Sequence, residues 1–445
     1  MSRLCRRVLI PVGLLLVAHV ACAAPHIFWA SDPVRPGETV VVVGDGLTGA
    51  QVTVGDVSAA KLAAVSLIQP NDGSLKFTLP ATLKPGLFQM AIKTPQGSVS
   101  HVLNRPVVWW AQVVNQPLTP GKAMLRVFGK NLTQNGVATV RLQASSNYDL
   151  RASGTAFALN AYLPFDLGGK QFPLTVDVGV GGKAGVSEPV SLTIPRPVVM
   201  PQKRFNVRDF GAEGQGTTDD TAAVKAAIEA AQKAGGGVVY FPRGRYQVNQ
   251  TLEIPRLVTL RGERRDLVNI LWPDVKDALP AQLKGTNSFA VEDLTFYTGN
   301  YSRFLVADDR QPDAGNVSLR RVTVRANRYR GHMTPEEVDR RLQTGGGNQC
   351  PLLTLGGVNV AITDCDLYSS GMVFWLTQLK NATIANNTLT NGRWGWYSLS
   401  GNDGVIFENN TIIGGDLMST GGGLNTLDGS KVSRHVYYAG NTLRT

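Results

Sequence analysis

Charged residues and cysteines are both scarce in this chain, and each scarcity narrows the classes of protein to which it can belong. Lys, Arg, Asp and Glu make up 17% of the 445 residues, whereas glycine occurs 48 times. This balance favours a β-rich, turn-rich globular fold. Two of the four cysteines, Cys5 and Cys22, lie in the N-terminal apolar segment. Cys350 and Cys365 remain, too few for a cysteine metal cluster; they form one disulfide or serve as small buried apolar residues.

The apolar run from Val8 to Val20 is too short to span a membrane comfortably. It follows three arginines and precedes Ala21-Cys22-Ala23, the arrangement of a secretory signal peptide over residues 1–23. Cleavage is expected after Ala23 or Ala24, and lipidation at Cys22 is the weaker alternative. Removal of the three arginines changes the net charge from +11 to +8. A secreted, periplasmic or cell-surface protein of this charge suits acidic polysaccharides, unless the charge serves only solubility.

The front half of the chain contains the same pattern twice. Phe28-Trp29-Ala30 leads to a Pro-Gly turn at Pro36 and a valine strand, and Trp109-Trp110-Ala111 leads to a second Pro-Gly turn at Pro120, 84 residues later. Short alternating strands between such turns predict two β-sandwich domains, over residues 25–108 and 109–194. The pattern resembles the TIG-type immunoglobulin-like fold. The tryptophans bind carbohydrate or a surface, or they serve packing, which we favour. Residues 195–203 predict a proline-rich linker.

The segment Phe205–Tyr246 reads as a strand, a Gly-rich turn, one helix and a second strand. Thr217-Thr218-Asp219-Asp220 predicts a capped helix N-terminus, with Ala223, Ala227, Ile228 and Ala231 on one face. Gly235-Gly236-Gly237 predicts its end. The order Asp209-Phe210-Gly211-Ala212, Thr218-Asp219-Asp220-Thr221, Gly236–Pro242 and Gly244-Arg245-Tyr246 closely resembles the pectate-lyase-like superfamily. Its rhamnogalacturonase/epimerase-like members are right-handed parallel β-helices, so the resemblance implies that fold, with the helix capping its open end.

A short strand pattern then recurs through the back half. The second residue of each instance is 258, 294, 322, 365, 387, 410 or 441, and gaps of 22 and 23 suit one bare β-helix coil. Asn387, Asn410 and Asn441 share one register, which predicts an asparagine ladder. The predicted fold is therefore all-β: a right-handed parallel β-helix over residues 204–445 with one N-terminal capping helix, preceded by two small β-sandwich domains. The chain ends directly after a strand of this series, with no capping element. This ending favours a truncated sequence over a β-helix whose last coil is left open.

Candidate catalytic and sugar-binding residues cluster near the last strands. The turn Arg393-Trp394-Gly395-Trp396-Tyr397 suits stacking on sugar faces or packing under a loop. Asp403, Asp416 and Asp428 lie in successive coils and could align, although Asp-Gly pairs are also common in turns. His435 is a candidate base.

A second group of candidates lies earlier. Asp364 and Asp366 flank an inward Cys365, as a metal-binding or general-acid pair or as solvated residues. Arg325, Arg328, Arg330 and His332 form, with Arg320 and Arg321, a basic run that binds carboxylates or sulfates, or pairs with Glu336, Glu337 and Asp339.

No complete catalytic motif of the superfamily is found: the polygalacturonase-like Gly-His-Gly, the epimerase-like Asp-Pro-His and the pectate-lyase-like Arg-x-x-Arg-x-Pro are all missing. The motifs therefore identify no particular reaction. The resemblance implies a secreted enzyme that cleaves glycosidic bonds of an anionic polysaccharide, with hydrolysis slightly ahead of β-elimination because carboxylates outnumber plausible bases near the aromatic turn. The alternative is a non-catalytic polysaccharide-binding or adhesion protein. No cofactor is expected, except Ca²⁺ in a lyase. The expected partner is a polysaccharide, with no nucleic acid and no membrane span; the oligomeric state stays open.

Overall fold

The structure, a computed structural model, describes residues 24–444 apart from ten internal gaps. These are 115–122, 164–166, 197, 276, 308–313, 328–333, 335, 338–350, 393–396 and 415–432, and of Tyr397–Ser400 only the backbone is described. The predicted signal peptide lies outside the described residues. Over the described range the chain is nearly all β, with one α-helix, which confirms the predicted fold class.

The first antiparallel module comprises two packed sheets, in the strand orders β1-β2-β6-β5 and β4-β3-β7-β8. Its strands are β1 His26–Ala30, β2 Thr39–Asp45, β3 Gln51–Asp56, β4 Ala63–Val65, β5 Leu67–Ile68, β6 Ser74–Thr78, β7 Phe88–Thr94 and β8 Gly97–Leu103. Alternating residues such as Val40, Val42 and Phe77 fill the space between the sheets.

The second module is one curled antiparallel sheet in the order β15-β14-β11-β12-β13-β10-β9. Its strands are β9 Val107–Val114, β10 Ala123–Lys130, β11 Val137–Leu142, β12 Tyr148–Gly154, β13 Ala158–Leu163, β14 Gln171–Asp177 and β15 Val190–Thr193, with a 3₁₀ turn at Gly182–Gly185. Strand β9 begins two residues before the predicted domain start. The domain boundaries and the immunoglobulin-like assignment stay predictions.

The back half is a parallel β-helix in which each full coil contributes a strand to three stacks, called here the first, second and third sheets; one long strand joins the first and third into a single hydrogen-bonded sheet. The first sheet contains β16 Arg204–Asn206, β18 Gly237–Phe241, β21 Val258–Gly262, β24 Asn287–Glu292, β27 Gly315–Arg320, β30 Ala361–Thr363, β35 Asp403–Glu408 and β37 Arg434–Ala439. The second contains β17 Gln215–Asp219, β19 Gly244–Gln247, β22 Val268–Trp272, β25 Thr295–Gly299, β28 Thr323–Asn327, β31 Asp366–Ser369, β33 Thr388–Asn391, β36 Thr411–Ile413 and β38 Thr442–Arg444. The third contains β20 Leu252–Ile254, β23 Leu283–Gly285, β26 Leu305–Ala307, β29 Leu353–Val358 and β34 Tyr397–Ser400, and β32 Phe374–Ala385 runs from the third sheet into the first.

Apolar residues stacked in register form the β-helix core. One column of the first sheet is fully buried and contains Leu260, Val291, Leu319, Ile362, Ile384 and Phe407. Each residue buries its side chain only against the coils above and below it, so the repeat and the core depend on each other.

The single α-helix, α1 Thr221–Lys233, covers the first coil of this core. A 3₁₀ turn, Val207–Phe210, precedes it. The Asp219 carboxylate accepts hydrogen bonds from the backbone N–H of Thr221 (3.0 Å) and from its hydroxyl, so it serves the helix start as predicted. Asp220 does not cap the helix; it accepts from the N–H groups of Glu213 and Gly214 and ties down the glycine turn. Both aspartates are structural.

The asparagine ladder is present. Asn387 Nδ2 donates to Asn410 Oδ1 (2.9 Å), and Asn410 Nδ2 donates to Asn441 Oδ1 (3.0 Å). The backbone N–H groups of Cys365, Asn387 and Asn410 donate to the same series of amide oxygens. Cys365 continues the column as a buried free thiol, and burial raises its pKa to about 12. Cys350 lies outside the described residues.

One member of the predicted register is wrong. Val258 begins strand β21 and stacks over Phe289 at the start of the next coil, not over Leu294 at its first corner. The run Leu257–Leu260 has the same apolar alternation as the corner segments, and alternation alone does not distinguish a strand start from a corner.

Candidate active site

The second module covers the outer face of the last described coils. Residues of β35 alternate, so Val405 and Phe407 join the β-helix core while Ile406 points outward. Ile406 is nevertheless 0% exposed because it packs with Val114 and Phe128 of the second module. Strands β9 and β10 therefore lie against β35 and β37.

A bidentate ion pair fixes the orientation of this contact. The guanidinium of Arg126 binds both carboxylate oxygens of Glu408, at 2.8 and 3.1 Å. The two side chains are only 10% and 19% exposed. The guanidinium also lies over the rings of Phe128 (5.3 Å) and Tyr437 (5.7 Å). Such planar, partly desolvated pairs are geometrically specific.

At the rim of the contact the structure brings two predicted catalytic residues together. Strand β37 stacks one coil beyond β35, with Asp403 in register with Arg434. The Nδ1 atom of His435 lies 2.5 Å from Asp403 Oδ1, and the side chains are 41% and 52% exposed. The backbone of His435 is left-handed, with φ of 50°, at the position that Gly404 and Asn381 hold in the two preceding coils. The imidazole thus leaves the regular alternation at a coil start.

The imidazole of His435 opens onto an aromatic cleft. The ring of Trp110 lies 5.3 Å from it, at 30°, and stacks on Phe128 at 4.4 Å. The cleft has a volume of about 520 Å³ and is lined by Trp109, Trp110, Phe128, Phe157 and residues 435–438. Trp109 and Phe157 are 52% and 47% exposed, so both rings are accessible to a ligand in the cleft.

Two cations flank the Asp403 carboxylate along the coil axis. Lys380 is in register with Asp403 one coil before it, and Arg434 is in register one coil after it. Both side chains are exposed. Adjacent strands lie about 4.8 Å apart, so the three charged groups form a column that can receive a carboxylate.

The histidine–aspartate pair is suited to proton transfer. A carboxylate on Nδ1 holds that nitrogen as the donor, which leaves the lone pair on Nε2. A base oriented in this way needs only a substrate C–H or O–H within hydrogen-bonding reach.

The earlier candidates Asp364 and Asp366 both point outward, but they do not form a site together. Asp366 is in an ion pair with Arg325 of the preceding coil. The Asp364 backbone carbonyl accepts a hydrogen bond from Arg265 (2.9 Å). The first contact joins neighbouring coils of the β-helix, whereas the second joins coils that are not adjacent.

The predicted partners of the basic run are wrong for its described members. Arg320 pairs with Glu292, and Arg321 pairs with Asp293 through two hydrogen bonds. Each of these acids lies one coil earlier, at a distance along the chain that the local charge pattern cannot reveal. The hydrogen bonds that the Arg321 guanidinium donates to the Asp293 carboxylate raise the pKa of Arg321.

The remaining candidates lie outside the described residues, and their roles stay predictions. They are Arg328, Arg330, His332, Arg393, Trp394, Trp396, Asp416 and Asp428; the side chain of Tyr397 is also not described.

The expectation that the front tryptophans serve packing is correct for Trp110 alone. Trp29 is 54% exposed and Trp109 is 52% exposed. Sequence reasoning missed Lys380, Arg434 and Phe157. The repeated aromatic pair before each Pro-Gly turn is the signal that pointed toward the second module. Within the described ranges, no three His, Cys, Asp or Glu side chains group as metal ligands, and no helix is long and apolar enough to cross a membrane.

The fold and this site define a parallel β-helix protein with a charged and aromatic cleft on its outer face. A family model described as rhamnogalacturonase A/epimerase, pectate lyase-like, matches residues 204–425, and this half of the chain belongs to that family. Alginate lyase 7 of Azotobacter vinelandii is 64% identical over 45 residues, 10% of this chain and 5% of that protein. Mannuronan C5-epimerase AlgE2 of the same organism is 26% identical over 258 residues, 52% of this chain and 23% of that protein. The matches thus span less than a quarter of these relatives. A family 28 exopolygalacturonase of Yersinia enterocolitica superposes with a TM-score of 0.40 and 11% identity, covering 76% of this chain and 87% of that one.

Proposed function

We propose that this protein is a secreted enzyme that acts on an anionic polysaccharide by abstracting a proton from a uronosyl residue. The observation that carries the proposal is the pairing of His435 with Asp403 between Lys380 and Arg434, at the rim of an aromatic cleft. The names of the relatives, an alginate lyase and mannuronan C5-epimerases, support the substrate class.

His435 is the base in this proposal. Its Nε2 takes the proton at C5, next to the sugar carboxylate, and Asp403 orients the imidazole and stabilises it once charged. Lys380 and Arg434 offset the negative charge that develops on the carboxylate. If the C4–O bond then breaks, C4 and C5 form a double bond and the departing oxygen takes a proton from water. If water instead donates a proton to C5 from the opposite face, the product is the epimer, and His435 returns its proton to the hydroxide. The site pairs one base with one carboxylate, whereas hydrolysis needs two carboxyl groups. Elimination or epimerisation therefore fits the site better than hydrolysis does.

The test is incubation with alginate and polygalacturonate in deuterated water, with and without Ca²⁺. Deuterium at C5 reports epimerisation, because C5 is reprotonated from the solvent, whereas elimination leaves no hydrogen on C5 and is reported by the ultraviolet absorbance of the unsaturated product. His435→Gln is expected to lower the rate of whichever reaction is observed at least about a hundredfold, because both begin with loss of the C5 proton. His101→Gln, in strand β8 of the first module and outside the cleft, is the matched control and should retain full activity at about pH 7.5.

The second candidate function is polysaccharide binding without catalysis, favoured by the aromatic lining of the cleft. Binding of both polymers with no C5 exchange and no new reducing ends would support it and refute the enzyme proposal. New reducing ends without an unsaturated product would instead show hydrolysis.

A further inference from the structure

The two front modules share one irregularity in their first strands. In the second module Trp110 is opposite Phe128 and Val108 is opposite Gly129, so Trp109 is an extra, bulged residue. In the first module Trp29 is opposite Val43 and Ile27 is opposite Gly44, so Phe28 is the bulged residue. A β-bulge redirects side chains at the edge of a sheet. The repeat is therefore preserved at the level of single residues.

The backbone explains why the glycines recur. A Cβ atom on Gly44 would lie 2.0 Å from the carbonyl oxygen of His26, and one on Gly129 would lie 2.0 Å from that of Val107. Both positions require glycine for the same close approach of the bulged strand. Phe28-Trp29 and Trp109-Trp110 are thus structural equivalents.

The equivalent faces differ in what covers them. In the second module Trp110 and Phe128 pack against the β-helix, and Phe128 is only 1% exposed. In the first module the corresponding Trp29 and Val43 are 54% and 40% exposed. Phe28 is 64% exposed, with the His26 ring 5.2 Å away. An edge strand with three exposed aromatic rings is normally avoided unless it binds something.

The surroundings of the aromatic edge indicate the ligand. Trp29, Val43 and Ser74 are directly opposite one another across three strands, and Lys76 lies on the same face one row along. A few rings bordered by hydroxyl and ammonium groups are far smaller than the roughly 800 Å² per partner of a stable protein interface. They match the apolar face and the charged edge of an acidic sugar.

The junction of the modules connects this edge to the cleft. Asp32, shortly after β1, forms an ion pair with Lys130 (2.8 Å), which is opposite Val107 at the start of β9. The ion pair therefore links the segment after β1 to the start of β9, and these are the two strands that carry the bulged aromatic pairs.

We infer that Phe28 and Trp29 form an accessory binding platform for an acidic polysaccharide, separate from the cleft at His435. Its ligand class rests on the proposed function, but its test measures binding alone. Affinity electrophoresis and titration calorimetry with alginate and polygalacturonate are performed on the full chain carrying His435→Gln, so that no turnover occurs.

The double variant Phe28→Ala/Trp29→Ala is expected to weaken binding of at least one of the two polymers about tenfold, whereas Trp29→Phe retains most of the affinity. Tyr162→Ala removes an aromatic side chain of the second module that is 55% exposed, and is the matched control with no expected effect. Thermal unfolding should not change, because the replaced rings are exposed.

Unchanged binding of both polymers by the double variant would overturn the inference. So would a change in sedimentation behaviour without a change in glycan affinity, which would assign the edge to a second copy of the chain. Weaker glycan binding by the double variant, together with neither C5 exchange nor an unsaturated product from the unmodified protein, would support the platform and refute only the proposed reaction.

Discussion

The asparagine ladder offers the sharpest test of the β-helix, through replacement of Asn410 by leucine. Asn410 is 1% exposed. Its Oδ1 accepts from the backbone N–H of Asn387 (3.0 Å), and its Nδ2 donates to the Ile384 carbonyl (3.0 Å). Leucine has the same branched shape and the same number of side-chain heavy atoms but neither hydrogen-bonding group. The backbone N–H of Asn387 and the backbone carbonyl of Ile384 would lose these partners. The side-chain amide of Asn387 would keep the hydrogen bond that it donates to the Ile362 carbonyl.

Each buried backbone group left without a partner costs about 1–3 kcal/mol, and the apolar side chain returns about 1 kcal/mol, so Asn410→Leu should destabilise this region by about 3 kcal/mol. Hydrogen–deuterium exchange measures the effect locally: a change of about 3 kcal/mol accelerates exchange of the Asn387 amide roughly a hundredfold.

The control is Asn386→Gly in the same corner. Asn386 is exposed and has a left-handed backbone, with φ of 58°, that glycine adopts freely. It should leave exchange of the Asn387 amide within about threefold of the unmodified protein. Destabilisation below about 1 kcal/mol by Asn410→Leu would refute the idea that the ladder holds the coils together.

Two further predictions concern titratable groups. Burial raises the pKa of the Cys365 thiol to about 12, so a thiol reagent should leave Cys365 unmodified in the folded protein and label it once denaturant is added. Mass spectrometry of the peptide that contains Cys365 measures the labelling. Labelling at the same rate in both states would contradict the prediction. Burial lowers the pKa of His101 below its usual value. The unfolded chain therefore binds this proton more readily, and the stabilising contribution of the neutral imidazole, complete above about pH 6.5, is lost as pH falls toward the lower folded pKa. The urea midpoint should accordingly fall less in His101→Gln than in the unmodified protein between about pH 7.5 and about pH 5.5, and equal shifts would count against the assignment.

The sequence is most informative where neighbouring coils repeat. Asn387, Asn410 and Asn441 recur at the interval of a coil and its insertion, so their stacking follows from the pattern alone. The pattern assigns Val258 to the wrong position, because the apolar alternation of the corner segments also occurs at the start of strand β21. Inward and outward positions depend on the pleat, but the boundary between strand and corner depends on backbone conformation at single residues.

Only part of the candidate site can be predicted from the sequence, and the reason is different. Asp403 and His435 could be named as candidates individually, yet they lie 32 residues apart, and the sequence does not show that their strands stack directly on each other. The aromatic wall comes from Trp109 and Trp110, more than three hundred residues before His435. No periodicity encodes that contact, because it is fixed by docking of one module on another.

That docking determines how the site must be studied. Ile406 points away from the β-helix core and is buried only by the second module, and Glu408 finds its counter-ion there in Arg126. An isolated β-helix would expose the apolar side chain and leave the carboxylate without its partner. Breaking such a partly buried pair costs about 3 kcal/mol, and the ring of Trp110 beside the His435 imidazole would be lost with it. The second module is therefore part of the site, and a fragment that lacks it cannot decide whether the His435–Asp403 pair is catalytic.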